Sequence, residues 1–161
     1  MRSFHFVAGA LLAGSCAASA QAQSPQVFCD NMRRMIAAAG EARPFAALLD
    51  ANGLAAFRPA PEIPHCTYSA QSGFDYACKI VFPQAQMREA HAGIGQTLTQ
   101  CLGTGAEPGP ADIGKLPSLS WFLAGNVSIH LYPREDWGQY ADDAGDEEFT
   151  DFGFDLVVAR D

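Results

Sequence analysis

The stretch that decides the fold runs Cys66-Thr67-Tyr68-Ser69-Ala70-Gln71-Ser72-Gly73-Phe74-Asp75-Tyr76-Ala77-Cys78. In its second half and just beyond, Phe74, Tyr76, Cys78, Ile80 and Phe82 alternate with Asp75, Ala77, Lys79 and Val81. That two-residue period is the pattern of a strand with one buried face. Cys66 to Ala70 reads as a second short strand. Between them Gln71-Ser72-Gly73 fits a three-residue hairpin loop with glycine at the left-handed position. If Ala70 faces Phe74, then Ser69 falls opposite Asp75, Tyr68 opposite Tyr76 and Cys66 opposite Cys78. Directly opposed residues lie about 4.5–5.5 Å apart, within reach of a disulfide. The hairpin thus predicts a Cys66–Cys78 bridge.

The rest of the cysteine arithmetic follows from the N-terminus. Arg2 precedes the nearly unbroken apolar run Phe4 to Ala13, and Ala18-Ser19-Ala20 and Ala20-Gln21-Ala22 are both small-x-small cleavage sites. This is the layout of a secretory signal peptide, and its apolar run is too short for a membrane span. Residues 1–22 are therefore expected to be removed near Ala20 or Ala22, leaving a single domain, 23–161, in the periplasm or outside the cell. Soluble export is favoured over a lipid anchor at Cys16, because the position three residues before it holds Ala13 where lipoprotein signals carry Leu. Four cysteines then remain, and elimination pairs Cys29 with Cys101. An oxidising compartment favours bridges over a zinc site, and no CxxC pair is present.

Of the ten Lys and Arg residues only Arg2 lies in the leader, so nine face eighteen Asp and Glu in the mature chain. That balance argues against nucleic acid and anionic membranes as partners and suits a basic protein. The composition, 48% hydrophobic and 17% charged, is that of a folded globule.

Ser24 can cap a helix that starts at Pro25, carries Phe28, Met32, Met35 and Ile36 on one stripe and stops at Gly40. A short second helix is expected from near Pro44, with Phe45, Leu48 and Leu49 inward, ending at Asn52-Gly53. A third runs from about Gln84 to Leu102, with Met87, His91, Ile94, Leu98 and Cys101 on its apolar stripe and Gly103 as its stop. Gly93 and Gly95 weaken it by roughly 1 kcal/mol each, which suggests close packing there. Thr104 to Pro117 reads as a Gly/Pro-rich loop. Leu119 to Tyr132 reads as extended, either one strand or two split at Gly125-Asn126. A long acidic loop then leads to a last strand, where Phe152, Phe154, Leu156 and Val158 alternate with smaller or polar residues. Helices in blocks and a hairpin-linked sheet predict an α+β fold, an antiparallel sheet of four or five strands with about three helices on one face.

No cofactor, metal site or catalytic residue emerges from this chain. His65, His91 and His130 share no HExxH or HxH spacing, bridged cysteines cannot act as nucleophiles, and no GxSxG elbow is present. The acidic run around Asp142, Asp143, Asp146, Glu147 and Glu148 departs from the EF-hand spacing; a looser calcium-binding loop stays an alternative to a solvated one. What stands out is the mixture of aromatic and acidic residues from Tyr132 to Phe149. Trp137 and Tyr140 beside Glu135, Asp136, Asp142 and Asp143 are the composition of a protein-binding segment, aromatic anchors within a field that steers a cationic partner. Ser72 and Tyr76 form a second candidate patch. Ser72-Gly73-Phe74-Asp75-Tyr76 resembles the SGxxY signature of periplasmic lysozyme inhibitors. The resemblance covers three fixed residues and implies that Ser72, Gly73 and Tyr76 sit at an inhibitory loop, although the expected helices depart from that family's mostly all-β fold. The sequence thus leads to a non-enzymatic binding protein of inhibitor or immunity type, with no stable membrane insertion. The alternative is a small periplasmic hydrolase or metal-dependent enzyme using histidines and carboxylates.

Overall fold

The structure, a computed structural model, describes residues 24–61, 63, 65–71, 73–111, 116–142 and 145–160, with backbone alone at 111 and along 135–142 and 145–151. The leader, Ser72 and Asp143 lie outside the described residues. Helix α1 (Pro25–Ala39) and helix α2 (Met87–Leu102) pack with strands β1 (His65–Ser69), β2 (Phe74–Phe82), β3 (Glu107–Ala111), β4 (Pro117–Leu123), β5 (Val127–Asp142) and β6 (Gly145–Arg160). The fold is α+β, and the six antiparallel strands lie in the order β1-β2-β6-β5-β4-β3.

The hairpin has the register its sequence dictates, with Ser69 opposite Asp75, Tyr68 opposite Tyr76 and Cys66 opposite Cys78. Both expected disulfides are present, Cys66–Cys78 and Cys29–Cys101. The second ties α1 to α2 across 72 residues of chain. Ser24 caps α1, its hydroxyl accepting from the Val27 amide, with Pro25 at the first turn. Gly103 ends α2 in the left-handed conformation, which costs glycine little.

Alternation divides the sheet into two faces. Tyr76, Cys78 and Ile80 of β2, Phe154, Leu156 and Val158 of β6, Ile129 and Leu131 of β5 and Trp121 of β4 point inward. There they join Met32, Met35, Met87 and Leu98 from the helices in one core. The opposite face keeps Val81, Phe122 and Tyr132 exposed. No helix among the described residues is long and apolar enough to cross a membrane.

Three expectations are corrected and one open alternative is settled; together they give six described strands rather than four or five. The segment after Pro44 is not a helix but a single 3-10 turn, Ala46–Leu48. Phe45 takes a left-handed backbone, which places its ring in the core against Tyr68 and Tyr76, and a residue in that conformation cannot lie within an α-helix. Two α-helices are therefore described rather than about three. Glu107-Pro108-Gly109-Pro110-Ala111 is an edge strand, not loop; prolines are tolerated there because an edge strand has one row of amides that needs no partner. Leu119 to Tyr132 resolves into two strands turning through Gly125 and Asn126, both at positive φ. The expected acidic loop is instead the continuation of β5 and β6 as a paired ribbon. Trp137, Tyr140, Phe149 and Thr150 have the propensity for that conformation, which the acidic composition around them obscured.

Two glycines mark close approaches. A Cβ at Gly95 would lie 2.8 Å from Leu119 Cδ1, so α2 rests on β4 there. A Cβ at Gly153 would lie 2.0 Å from the Ile80 carbonyl oxygen, and backbone cannot yield as a side-chain tip can. Gly153→Ala should therefore lower stability by roughly 1–3 kcal/mol, read as the loss in denaturation free energy. Among the bridges, removal of Cys29–Cys101 by paired serine substitution should cost about 4 kcal/mol. Removal of Cys66–Cys78, which closes a 12-residue separation, should cost about 3 kcal/mol. Urea titrations of the two double variants give the comparison, and the reverse order would reject the loop-entropy account.

Candidate functional site

The sheet's outward face and the β5–β6 ribbon meet at Tyr132 and Arg134. The register of β6 with β2 ends at Phe82 opposite Phe152, and that of β5 with β4 at Leu119 opposite Leu131. Pairing between β5 and β6 continues past both, from Glu135 opposite Phe152 to Asp142 opposite Gly145. Within this ribbon Trp137 is opposite Thr150, Tyr140 opposite Glu147 and Asp136 opposite Asp151. Glu135, Asp136, Trp137, Tyr140 and Asp142, all read from sequence as loop residues, are therefore strand positions on β5. Eight Asp and Glu and no Lys or Arg fall between Glu135 and Asp151. Like charges placed directly opposite, as at Asp136 and Asp151, destabilise a strand pair.

The outward face beside the ribbon carries a group of residues that sequence reasoning did not assemble. Ser120 Oγ lies 2.8 Å from His130 Nδ1, and His130 Nε2 lies 2.8 Å from Ser128 Oγ. The His130 ring stacks on Tyr132, with centroids 5.4 Å apart and planes 13° apart, and meets the Phe122 ring edge-on at 6.1 Å. Arg134 is paired with Asp155, Nη1 to Oδ1 2.5 Å. Asp75, on the same face of β2, raises the Tyr132 phenol pKa further after the larger effect of burial. A signal for this group did exist. A turn at Gly125-Asn126 sets Leu123 opposite Val127, which puts Ser120 opposite His130.

Of the second candidate patch, Ser72 lies outside the described residues and Tyr76 is not at the surface. Tyr76 is 0% exposed; its hydroxyl donates to the Phe57 carbonyl at 2.7 Å and accepts from the Phe57 amide at 3.0 Å. Burial drives the Tyr76 phenol pKa up, offset in part by the Phe57 bond and the Arg58 charge. Tyr76 thus anchors the connector after the 3-10 turn instead of meeting a partner. This removes the inhibitory-loop role that the SGxxY resemblance implied for it.

The other histidines separate widely. His65 is exposed at the start of β1. His91 is buried on α2, where Nε2 donates to the Pro117 carbonyl at 2.9 Å and the ring lies 5.6 Å from Phe154. Among the described residues no three His, Cys, Asp or Glu side chains come together as a metal site would require. No family model, curated protein or solved structure matches this chain.

Burial holds the His91 pKa below its ordinary 6.5, with the Pro117 hydrogen bond opposing in part. The unfolded imidazole takes up a proton at a higher pH than the folded one. The stability contributed by neutral His91 is accordingly complete above about pH 6.5 and lost as pH falls from there through the folded value. His91→Gln keeps a donor for Pro117 and removes the titration. Its melting temperature should fall less steeply than that of the native chain below pH 6.5. Parallel slopes in a series of thermal melts would exclude this role.

Proposed function

We propose that this chain is an exported, non-enzymatic binding protein that recognises a basic protein partner through the β5–β6 ribbon, as an inhibitor or immunity protein does. The observation that carries the reading is the ribbon's charge: eight Asp and Glu and no Lys or Arg between Glu135 and Asp151 in sequence, seven of those acids on a strand pair that runs past its neighbours' register. Such a field raises the rate at which cationic surfaces arrive. A paired ribbon also presents its contacts with less ordering cost than a loop. The like-charge pair Asp136 and Asp151 weakens the free ribbon, and a cationic partner would relieve that repulsion. Two disulfides support an oxidising compartment.

The alternative, a small hydrolase, draws on one observation, the hydroxyl–imidazole–hydroxyl chain of Ser120, His130 and Ser128. In the binding reading the same chain fixes a surface ring. An activity screen with and without chelator, repeated on His130→Ala, discriminates the two.

The ribbon is tested by replacing Trp137 and Tyr140 together with Ala and recovering partners from periplasmic extract. Aromatic anchors at an interface commonly contribute 2 kcal/mol or more, so loss of about thirtyfold or more in affinity for the recovered partner is expected. Unchanged recovery would remove the ribbon from the interface.

A further inference from the structure

Of the sheet's two edges, β3 is closed to further pairing and β1 is open. Pro108 and Pro110 occupy β3, and its register with β4 shifts between Pro108 and Ala111. Proline and irregular register are common devices that stop another strand from adding to an edge. Strand β1 has neither. His65 to Ser69 contains no Pro and no Lys, and its pairing with β2 runs unbroken from His65 opposite Lys79 to Ser69 opposite Asp75.

The register also gives the direction of the β1 main-chain groups. Cys66 and Cys78 are directly opposed with Cα atoms 4.0 Å apart. That is the spacing of a non-hydrogen-bonded antiparallel pair, since hydrogen-bonded pairs stand about 5.5 Å apart. The N–H and C=O of Cys66 therefore turn away from β2, and by the two-residue period so do those of Tyr68. The Ile80 carbonyl, in phase with Cys78, agrees with this, because it faces Gly153 of β6. Among the described residues these Cys66 and Tyr68 groups have no hydrogen-bond partner. The Cys66–Cys78 bridge holds β1 to β2, so the edge is ordered before anything meets it.

Two adjoining, mainly apolar clefts lie beside this edge, on the side of the sheet where the Tyr68 ring packs against Phe45. One, of about 370 Å³, lies between Gly53-Leu54-Ala55 and Cys66-Thr67-Tyr68. The other, of about 310 Å³, has Pro44, Leu49, Tyr68 and Phe74 in its wall. Leu54 and Phe74 are 64% and 37% exposed, apolar surface that the core leaves uncovered. Directly opposed residues of a strand pair share a face. Residues of an added strand opposite Cys66 and Tyr68 would thus direct their side chains to the two clefts. A second copy of β1, paired about Thr67, would bring Tyr68 and Cys66 to these positions. Those side chains are already held by Phe45 and by the disulfide, and the clefts would stay empty.

We infer that the free edge of β1 is a docking site for an extended segment of another protein, which pairs antiparallel with β1 and places two apolar side chains, separated by one residue, in the two clefts. Main-chain hydrogen bonds then give the attachment and the clefts the selectivity. The site is separate from the ribbon and does not depend on its charge.

The test titrates the isotope-labelled, disulfide-bonded protein to millimolar concentrations of the end-blocked, uncharged peptide Ser-Thr-Val-Thr-Val-Thr-Ser, followed by amide NMR. The Cys66 and Tyr68 amides should shift and gain protection from hydrogen exchange. The Thr67 amide, which faces β2, should keep the protection it has. An isomer with adjacent valines, Ser-Thr-Thr-Val-Val-Thr-Ser, directs only one of them to the clefts. A peptide N-methylated at both valines loses its donors to the Cys66 and Tyr68 carbonyls. Each should bind roughly tenfold or more weakly, the scale of two net hydrogen bonds. Leu54→Asp, at an exposed position, should weaken the first peptide by a similar factor, with circular dichroism verifying the fold. Cys66 and Tyr68 amides that do not respond, or equal affinity for the three peptides, overturns the site. Amides already protected in the free protein also overturn it, because another segment of the chain then covers the edge. Protection that rises with protein concentration alone makes a second copy the occupant and overturns it as well. The peptide is uncharged, so failure here leaves the ribbon reading standing, and failure of the ribbon leaves this site standing.

Discussion

The pairing on which the rest depends is the insertion of β6, the last strand of the chain, between β2 and β5. Phe154, Leu156 and Val158 supply its inward residues, all fully buried. Its outward positions take the cross-strand partners Lys79, Ala77 and Asp75 on one side and Tyr132, His130 and Ser128 on the other. Without β6 the sheet would be two separate pieces, β1-β2 and β5-β4-β3. Two-stranded pairs are marginal alone in water. The end of β6 is also fastened to the helical layer, because Arg160 Nη1 donates to the Ala39 and Glu41 carbonyls at the C-terminus of α1. A cation at that end satisfies carbonyls that the helix leaves without partners and lies favourably in its dipole. Formation of the sheet therefore waits on contacts between residues far apart in sequence, which makes this a high-contact-order topology and predicts slow folding. The Cys29–Cys101 bridge counteracts that by holding α1 and α2 together before β6 arrives, if it closes first.

The same strand determines where function can sit. Helices and the 40–63 connector cover one side of the sheet through Met32, Met35, Phe45 and Leu98. Polar and aromatic residues with no role in that core are left on the other: Ser120, Phe122, His130 and Tyr132. Exposed aromatic rows of this kind are uncommon on surfaces that have no partner. At Gly153 the β2 and β6 backbones approach so closely that no side chain fits, and one residue further on the pairing of β6 with β2 ends. The root of the ribbon is thus anchored by backbone contact in the middle of the sheet, while its far end is held by pairing with β5.

Much of the fold was legible locally and little of it at long range. The Cys66–Ala70 and Phe74–Cys78 segments specify their own register through a three-residue loop, so the Cys66–Cys78 bridge could be read without any tertiary information. Ser24-Pro25 and Gly103 mark helix ends by backbone chemistry that a sequence displays directly. Phe45 shows where this stops. Its apolar neighbours Leu48 and Leu49 have helical spacing, but the core needs the Phe45 ring between Tyr68 and Tyr76, and a left-handed backbone is the cost of placing it there. Glu107 to Ala111 misleads for a different reason, since prolines that would break an interior strand are harmless at an edge. At the site, Trp137 and Tyr140 were identified by composition, but their conformation was not. Acidic runs ordinarily signal loop, and only the pairing of Glu135–Asp142 with Gly145–Phe152 makes them strand. Tyr76 carried a motif resemblance that its burial overrides.

An acidic two-stranded ribbon is an expensive structure to maintain. Pairing Asp136 with Asp151 brings negative charge together in a region where the register gives neither strand a second neighbour. In isolation such a pair would not persist. It holds because β5 and β6 enter it already aligned by seven paired positions whose inward residues are buried, from Val127 opposite Arg160 to Pro133 opposite Phe154. A chain under selection for stability alone would shorten these strands or alternate Lys with the carboxylates, as edge strands commonly do. Retaining the charge on a projection next to an ordered aromatic face makes physical sense when another molecule supplies the missing cations. The repulsion stored in the free ribbon then adds to the affinity of the complex.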